Sequence, residues 1–306
     1  MKSCLSLVVA LLPFLARGEL SPQAQLDLAG RIAAKVQRAE VWKDDAGNVT
    51  GLILINHQAL TKQAGEKPGI NDADLARLTG FPRLTAINIE AQGVSDAGLS
   101  VLAQMPQLRQ IGFHYMGKHP KAEATPACVS VINGKPDLEI LEIKHNFRMR
   151  SFAIESITTP MPNVWRLVLD TPITPEQTLH LIHLCPNVRD LQLHRTECSA
   201  EQLAEIGRLL PKLEVLWWKP RHGLRVGHLA VLSEFERLKI FSPQHFKNQL
   251  PFTGGWDALL KVKSLERIEV AIKNDQNGEA LKKLREQRPS LKIEPELTRS
   301  RNYDGL

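Results

Sequence analysis

Cysteine is scarce in this chain, and so are long apolar runs. Four of the 306 residues are Cys, which is too few for the small disulfide-stapled scaffolds of secreted proteins. No stretch beyond the N-terminal segment approaches the roughly 20 apolar residues that a helix needs to cross a bilayer. At 43% hydrophobic residues, the chain is nevertheless too apolar for an intrinsically disordered protein. These values predict a folded protein with a sizeable core.

The signatures of common catalytic sites are also missing. The sequence contains no G-x-S-x-G, H-E-x-x-H, G-x-x-x-x-G-K-[ST], C-x-x-C or G-x-G-x-x-G. It carries 39 Lys and Arg against 33 Asp and Glu, and the two signs alternate instead of forming the basic face of a nucleic-acid binder. We therefore expect no enzymatic activity, no cofactor and no nucleic-acid partner. An enzyme stays open as an alternative, because catalytic triads assemble from residues that are distant in sequence.

Residues 1–18 have the layout of a secretory signal peptide. A basic start at Lys2 precedes an apolar stretch from Leu5 to Ala16, and small residues precede Glu19, where we expect cleavage. The apolar stretch is too short for a permanent membrane anchor. The sequence therefore predicts a secreted or periplasmic protein with no membrane span after cleavage.

One short phrase recurs along the chain: an apolar residue, two variable residues, an apolar residue, one variable residue and an apolar residue. Examples are FPRLTAINI, MPQLRQIGF, MPNVWRLVL and CPNVRDLQL. The first apolar positions of the ten copies are Val49, Leu84, Leu108, Leu138, Val164, Val188, Leu213, Leu238, Leu265 and Leu291. The alternation of apolar and polar residues in each copy predicts a short strand with one buried face.

The segments between the phrases have helical spacing. Ser95, Thr174 and Ser199 stand where helix N-caps belong, and Pro175 falls at a first helical position. The Pro that precedes most strands ends each helix, because proline disfavours helical geometry in the residue before it. One strand and one helix per repeat follow from this pattern.

The pattern resembles the leucine-rich repeat family over residues ~30 to 295, with turns such as EAQGVSDAGL and HRTECSAEQL that look like those of secreted bacterial members. The conserved Asn of the family is not kept. The resemblance implies an α/β fold, a right-handed solenoid or horseshoe with about ten parallel strands on the concave face and helices on the convex face. Residues 19–45 would form an N-terminal capping helix, 46–295 the solenoid and 296–306 a C-terminal tail. Two repeats are expanded, at 56–74 and 116–134, and such insertions often form loops on the binding face.

Three cysteines remain after signal cleavage: Cys128, Cys185 and Cys198. A strand separates Cys185 from Cys198, and its length exceeds the ~7 Å between Cα atoms that a disulfide allows. We therefore expect buried structural thiols with no disulfide between these two residues.

The resemblance implies a non-enzymatic binding module that recognises a macromolecule, with protein as the expected partner, through the concave face and the adjoining loops. Trp217 is expected on the concave face, either exposed as an anchor, since Trp is frequent at interface hot spots, or packed flat on its neighbours. The expected partner-binding residues are Tyr115, Lys144, Arg166, His194, Arg195, Trp217 and Lys219.

Two other functions stay open. An extracytoplasmic glycan or cell-wall binder would use Trp217 and Tyr115 as stacking platforms. A metal-dependent hydrolase would use a line of histidines at the strand ends, where His145, Asp170 and His194 could converge on a divalent metal. A hydrated polar rim without metal is the simpler interpretation, and the sequence does not indicate the oligomeric state.

Overall fold

The fold is built on one continuous sheet. The computed structural model describes residues 19–55, 67–90, 93–114, 124–144, 152–220, 222–243, 255–270 and 278–295. Within these residues, eleven strands lie side by side in their order along the chain, from β1 to β11. The order of the strands shows that each repeat stacks on the one before it, as in the solenoid that the sequence predicts.

The first strand, β1, is antiparallel to β2, and all later neighbours in the sheet are parallel. The ten parallel strands coincide with the ten copies of the phrase. The strands are β1 (Arg38–Lys43), β2 (Val49–Ile55), β3 (Ala86–Glu90), β4 (Gln110–His114), β5 (Ile140–Lys144), β6 (Arg166–Asp170), β7 (Asp190–His194), β8 (Val215–Lys219), β9 (Ile240–Pro243), β10 (Arg267–Val270) and β11 (Lys292–Pro295).

Helical segments connect the parallel strands. The α-helices are α1 (Pro22–Ala33), α2 (Asp72–Ala76), α3 (Asp96–Leu99), α4 (Pro175–Leu184), α5 (Ala200–Leu209), α6 (Val226–Ala230) and α7 (Gly278–Gln287). Short 3₁₀ helices span Arg77–Gly80, Ser100–Gln104, Pro126–Ile132, Ile154–Ser156, Val231–Glu234 and Trp256–Lys261. The N-caps predicted at Ser95, Thr174 and Ser199 are confirmed, since each side chain accepts a hydrogen bond from the backbone N–H three residues later.

The core lies between the sheet and the helical segments. In β3, Ile87 and Ile89 point into it, and the phrase residue Leu84 before the strand is completely buried. The same positions of every repeat join one apolar cluster that runs from α1 to β11. Each buried Leu or Ile contributes about 2 kcal/mol by leaving water, so neighbouring repeats hold one another.

Two sets of side-chain hydrogen bonds also join successive repeats. At the strand starts, Asn163 donates to the carbonyl of Pro136 and Asn187 donates to that of Pro162, at 3.1 and 2.9 Å. At the helix starts, the backbone N–H and hydroxyl of Ser95 both donate to the Asp72 carboxylate, at 2.8 and 2.6 Å. These bonds tie backbone groups that the strand ladder does not reach.

The N-terminal end departs from the expectation in one respect. The helix α1 begins after the N-cap Ser21, as the sequence suggests, and buries Leu28, Ala29 and Ile32. It ends at Ala33, and β1 then pairs with β2 as a hairpin that the repeat pattern did not predict. The sequence RAEVWK lacks the repeated phrase, so periodicity alone could not identify this strand.

The three cysteines Cys128, Cys185 and Cys198 are buried as free thiols. Burial, which disfavours the charged thiolate, raises the pKa of each to about 12. The prediction of structural thiols without a disulfide between Cys185 and Cys198 is therefore confirmed.

Candidate functional site

The sheet face opposite the helices carries the polar side chains of the strands. Alternation along each strand places its first, third and fifth residues on this face. We call the third positions the middle row and the fifth positions the exit row, since they stand where the chain leaves each strand. In β3 to β10 the middle row is Asn88, Gly112, Glu142, Val168, Gln192, Trp217, Ser242 and Glu269. The exit row is Glu90, His114, Lys144, Asp170, His194 and Lys219.

The middle row is buried. Each of these eight residues is buried, including Glu142, whose exposed fraction is 1%, and Trp217, at 6%. Strands spaced ~4.8 Å apart bring each middle-row side chain against those of both neighbouring strands and of the flanking rows. Of the two interpretations of Trp217, the exposed anchor is therefore wrong and the ring packed on its neighbours is confirmed, and its position on this face is as predicted.

Glu142 is the centre of the first charged group on this face. Its Oε2 atom lies 2.8 Å from the Lys144 Nζ of its own strand and 3.2 Å from the His114 Nε2 of the neighbouring strand. Gly112 makes this arrangement possible, since a Cβ there would lie 2.1 Å from the Asn88 Oδ1 and 3.1 Å from the His114 Nε2. The missing side chain leaves room for the imidazole over β4.

The protonation of this group follows from burial and charge. Burial lowers the pKa of His114 below its ordinary value, and the Lys144 ammonium adds to the effect, although Glu142 opposes it. Burial raises the pKa of Glu142, but the hydrogen bond from His114 and the Lys144 charge outweigh burial and hold it well below its usual range. At neutral pH the group is therefore an ionised carboxylate between an ammonium and a neutral imidazole that donates through Nε2.

A second charged group surrounds Asp170 at the end of β6. Its carboxylate oxygens lie 3.7 Å from the His194 Nδ1 and 3.5 Å from the Arg195 Nε. Burial raises the pKa of Asp170, but the adjacent His194 and the Arg195 charge outweigh burial, so the net shift is downward. Asp170 is therefore ionised and gathers two basic side chains of the next repeat.

Arg195 has an unusual backbone. Its φ is 63°, and it is the one non-glycine residue with positive φ in the described part of the chain. The left-handed region costs a non-glycine residue roughly 1 kcal/mol. The backbone N–H of Arg195 donates to the Lys219 carbonyl at 2.7 Å, which holds the turn and keeps the guanidinium beside Asp170.

The structure brings most of the expected binding residues to one face. Lys144, His194 and Lys219 belong to the exit row, and Arg195 follows His194. Arg166 lies at the start of β6, where its NH1 is 3.6 Å from the Asp190 Oδ2, so it stands at the other end of the strand from the exit row. Tyr115 and His145 lie outside the described residues, as do residues 1–18 with the expected signal peptide.

Metal chemistry finds no support in the described residues. They contain no group of three or more His, Cys, Asp or Glu side chains arranged to hold an ion. Asp170 and His194 do lie together, as the metal hypothesis requires, but Arg195 occupies the same carboxylate. In the described ranges there is also no helix of the length and apolarity needed to cross a membrane.

The sequence analysis did not identify the first charged group. It named neither Glu142, which is the centre of this group, nor His114, which contacts Glu142 from the neighbouring strand. A signal was present in the sequence. An acidic residue, Glu142, falls at the middle of one strand, and basic residues fall at the end of that strand (Lys144) and at the end of the strand before it (His114).

Two comparisons find no relative of the chain: no family model matches, and no curated protein does. Solved structures with a similar backbone do exist. A protein from Bacteroides fragilis is 15% identical with a TM-score of 0.48, and the similarity covers 79% of each chain. The leucine-rich repeat-containing protein LegL7 from Legionella pneumophila is 14% identical with a TM-score of 0.48, covering 83% of this chain and 87% of that one.

A third similar structure is that of TLR13 in a complex with the RNA ssRNA13. It is 14% identical with a TM-score of 0.40, and the similarity covers 74% of this chain and 38% of the other. None of these similarities assigns a function to this chain. The repeated phrase and the ordered parallel sheet, both seen in the chain itself, are those of a leucine-rich repeat solenoid.

Proposed function

We propose that this leucine-rich repeat protein is a non-enzymatic binding module that recognises a protein partner through the exit row and the loops beside it, outside the cytoplasm. The observation that carries the proposal is a set of partly exposed basic side chains that acidic neighbours hold on this face: Lys144 lies 2.8 Å from Glu142, and Arg195 lies 3.5 Å from Asp170. Basic groups that are already oriented suit the recognition of acidic and polar groups on a partner.

The two basic side chains are held in position before any partner binds. Lys144 is fixed on Glu142, and Arg195 lies beside Asp170. Their side chains are 27% and 20% exposed, so each presents part of its surface while an acid sets its position, the buried Glu142 or the partly buried Asp170. Groups held in place in this way lose little conformational entropy on binding, which favours recognition.

The remaining expected residues have different roles in this proposal. Lys219 pairs in register with His194 and extends the exit row. Trp217 lies beneath it in the middle row and supports the face as a buried ring instead of an exposed anchor. Arg166 is tied to Asp190 at the opposite strand end, and Tyr115 directly follows His114 in the sequence. A protein partner suits this mixture of both charge signs better than a uniformly charged polymer.

Site-specific photocrosslinking tests the proposal. A benzoylphenylalanine placed at Lys219 should crosslink one protein from the extracytoplasmic fraction of the native cell, whereas the same probe at Ser233, exposed on the helical side, should not. The purified partner should bind His194→Ala at least about 10-fold more weakly, a loss of ~1.4 kcal/mol. Arg208→Ala on the helical side is the matched control. Equal binding of both variants, or crosslinking from Ser233 alone, would overturn the proposal.

A further inference from the structure

A second candidate site lies at the opposite ends of the strands. A groove of about 630 Å³ opens where β4 to β8 begin, which is within the roughly 300–1,000 Å³ range of ligand sites. Its lining includes Arg109, Glu139, Trp165, Arg189 and Lys212. None of these residues belongs to the exit row or to the charged groups around Glu142 and Asp170.

The backbone places three of these residues on successive rungs. The N–H of Trp165 donates to the Glu139 carbonyl at 3.0 Å, and the N–H of Arg189 donates to the Trp165 carbonyl at 2.7 Å. Neighbouring rungs are ~4.8 Å apart. The indole of Trp165 therefore stands between an acidic and a basic residue along the edge of the sheet.

Trp165 is exceptional among the residues at this position. The equivalent residues before β3 to β5 and β7 to β10 are polar or charged: Thr85, Arg109, Glu139, Arg189, Glu214, Lys239 and Glu266. Trp165 is partly exposed, and it does not belong to the apolar cluster or to the partly buried residues packed on it. Core packing thus does not account for a tryptophan here, whereas an aromatic ring in a groove is a typical binding element.

The groove carries positively charged side chains that form no ion pair within the described part of the chain. Glu139 is paired with Arg109, and Lys212 donates to the neutral Asn187 side chain at 2.8 Å. Among the described residues, no carboxylate forms an ion pair with Arg189 or Lys212. Two uncompensated cations beside an indole make the groove complementary to carboxylates.

The positively charged part of the groove is short, and this limits the length of a ligand that fits it. Farther along the same edge, Lys239 is paired with Glu214 at 3.2 Å, and Glu266 follows. A long polyanion such as a nucleic acid or a sulfated glycan would run into these acidic residues, and such ligands require an extended basic stripe. A peptide of a few residues would meet only the positive part.

We propose that this groove binds a short acidic peptide segment of a protein partner, with carboxylates on Arg189 and Lys212 and a flat side chain or backbone unit on Trp165. Arginine suits this role because its planar guanidinium can hold a carboxylate through two hydrogen bonds. The chain would then have two separate binding surfaces, one at each end of its strands.

The test uses the full chain and the peptide fluorescein-Gly-Asp-Glu-Pro-Asp-Glu-Gly-amide, which carries the label on its N-terminus. Fluorescence anisotropy should show binding that weakens with salt, and the peptide with Asn and Gln in place of Asp and Glu should bind at least about 10-fold more weakly. The double variant R189A/K212A should lose at least about 10-fold in affinity, and Trp165→Ala at least about 3-fold.

The control R208A/K282A removes the same number of positive charges from exposed positions on helices and should bind like the natural protein. His194→Ala should also bind normally, so this experiment and that on the exit row fail independently. Thermal unfolding of each variant verifies folding. No binding at millimolar peptide, equal binding by R189A/K212A, or tighter binding of a heparin hexasaccharide or oligo(dT) than of the peptide would overturn the proposal.

Discussion

His114 and Glu142 lie on adjacent strands with His114 Nε2 3.2 Å from Glu142 Oε2, and both are almost completely buried. The buried histidine and the buried carboxylate change their protonation state in different pH ranges. The pair therefore links the stability of the sheet face to pH, and it can be separated from other ionisable groups by substitution.

We expect His114→Gln to flatten the pH dependence of stability in mildly acidic solution. Burial lowers the pKa of His114 below the ordinary 6.5, so the unfolded chain binds a proton before the folded chain does. The free energy of unfolding of the natural protein should then fall as the pH drops below about 6.5. Urea unfolding between pH 7.5 and 5 measures the difference between the two proteins.

The control for this experiment is His183→Gln, because His183 is exposed. This variant should follow the natural protein throughout. Parallel curves for His114→Gln and the natural protein over the whole range would show that His114 is not held neutral by its surroundings.

Replacement of Lys135 should stabilise the protein. Lys135 occupies a core position of the repeat, its exposed fraction is 1%, and its ammonium donates to the Met105 carbonyl at 2.9 Å. Burial lowers its pKa to about 8 from 10.5. Between these values the unfolded chain binds more protons, so stability should rise with pH from about 8 to 10.5.

Lys135→Met should raise the free energy of unfolding at pH 7 by about 2 kcal/mol, because each pKa unit corresponds to ~1.4 kcal/mol and the loss of the bond to Met105 offsets part of the gain. The advantage should shrink at pH 10. Urea unfolding at pH 7, 9 and 10 measures it, with the exposed Lys282→Met as control. A Lys135→Met protein less stable than the control at pH 7 would contradict the expectation.

Trp217→Ala should lower stability by about 3 kcal/mol, since truncating a buried aromatic ring removes its contacts and leaves a cavity. Trp165→Ala is the matched comparison, because the same substitution falls on a partly exposed ring outside the core. It should cost about 1 kcal/mol or less. Guanidinium unfolding followed by circular dichroism compares the two, and equal losses would mean that Trp217 is not a structural residue.

The hydrogen bonds between Ser95 and Asp72, which join two repeats at their helix starts, give a further test. Asp72 accepts two hydrogen bonds from Ser95 of the next repeat, so Asp72→Ala leaves the backbone N–H and hydroxyl of Ser95 without this partner. The expected loss is about 1–2 kcal/mol. Thermal unfolding should show it, whereas Asp45→Ala, at an exposed turn, should leave the transition unchanged within error.

Much of the architecture could be predicted from the order of residues alone. The spacing of Leu84, Leu108, Val164 and Val188 identified strands of one ladder, and Ser95, Thr174 and Ser199 identified helix starts. These features depend on contacts with the adjacent repeat and on local backbone hydrogen bonds, so the residues that determine them lie close together in the sequence.

Other features depended on how the strands lie beside one another in space. The burial of Trp217 and the pairing of His114 with Glu142 across Gly112 follow from close contact between side chains of different repeats. The antiparallel β1 belongs to a hairpin that lies outside the repeat pattern. The groove at Trp165 arises in the same way, from residues of five repeats that meet at one edge. Periodicity assigns a residue to a face of the sheet, but the volume and charge of its neighbours on adjoining strands decide whether that residue meets water, an ion or a partner.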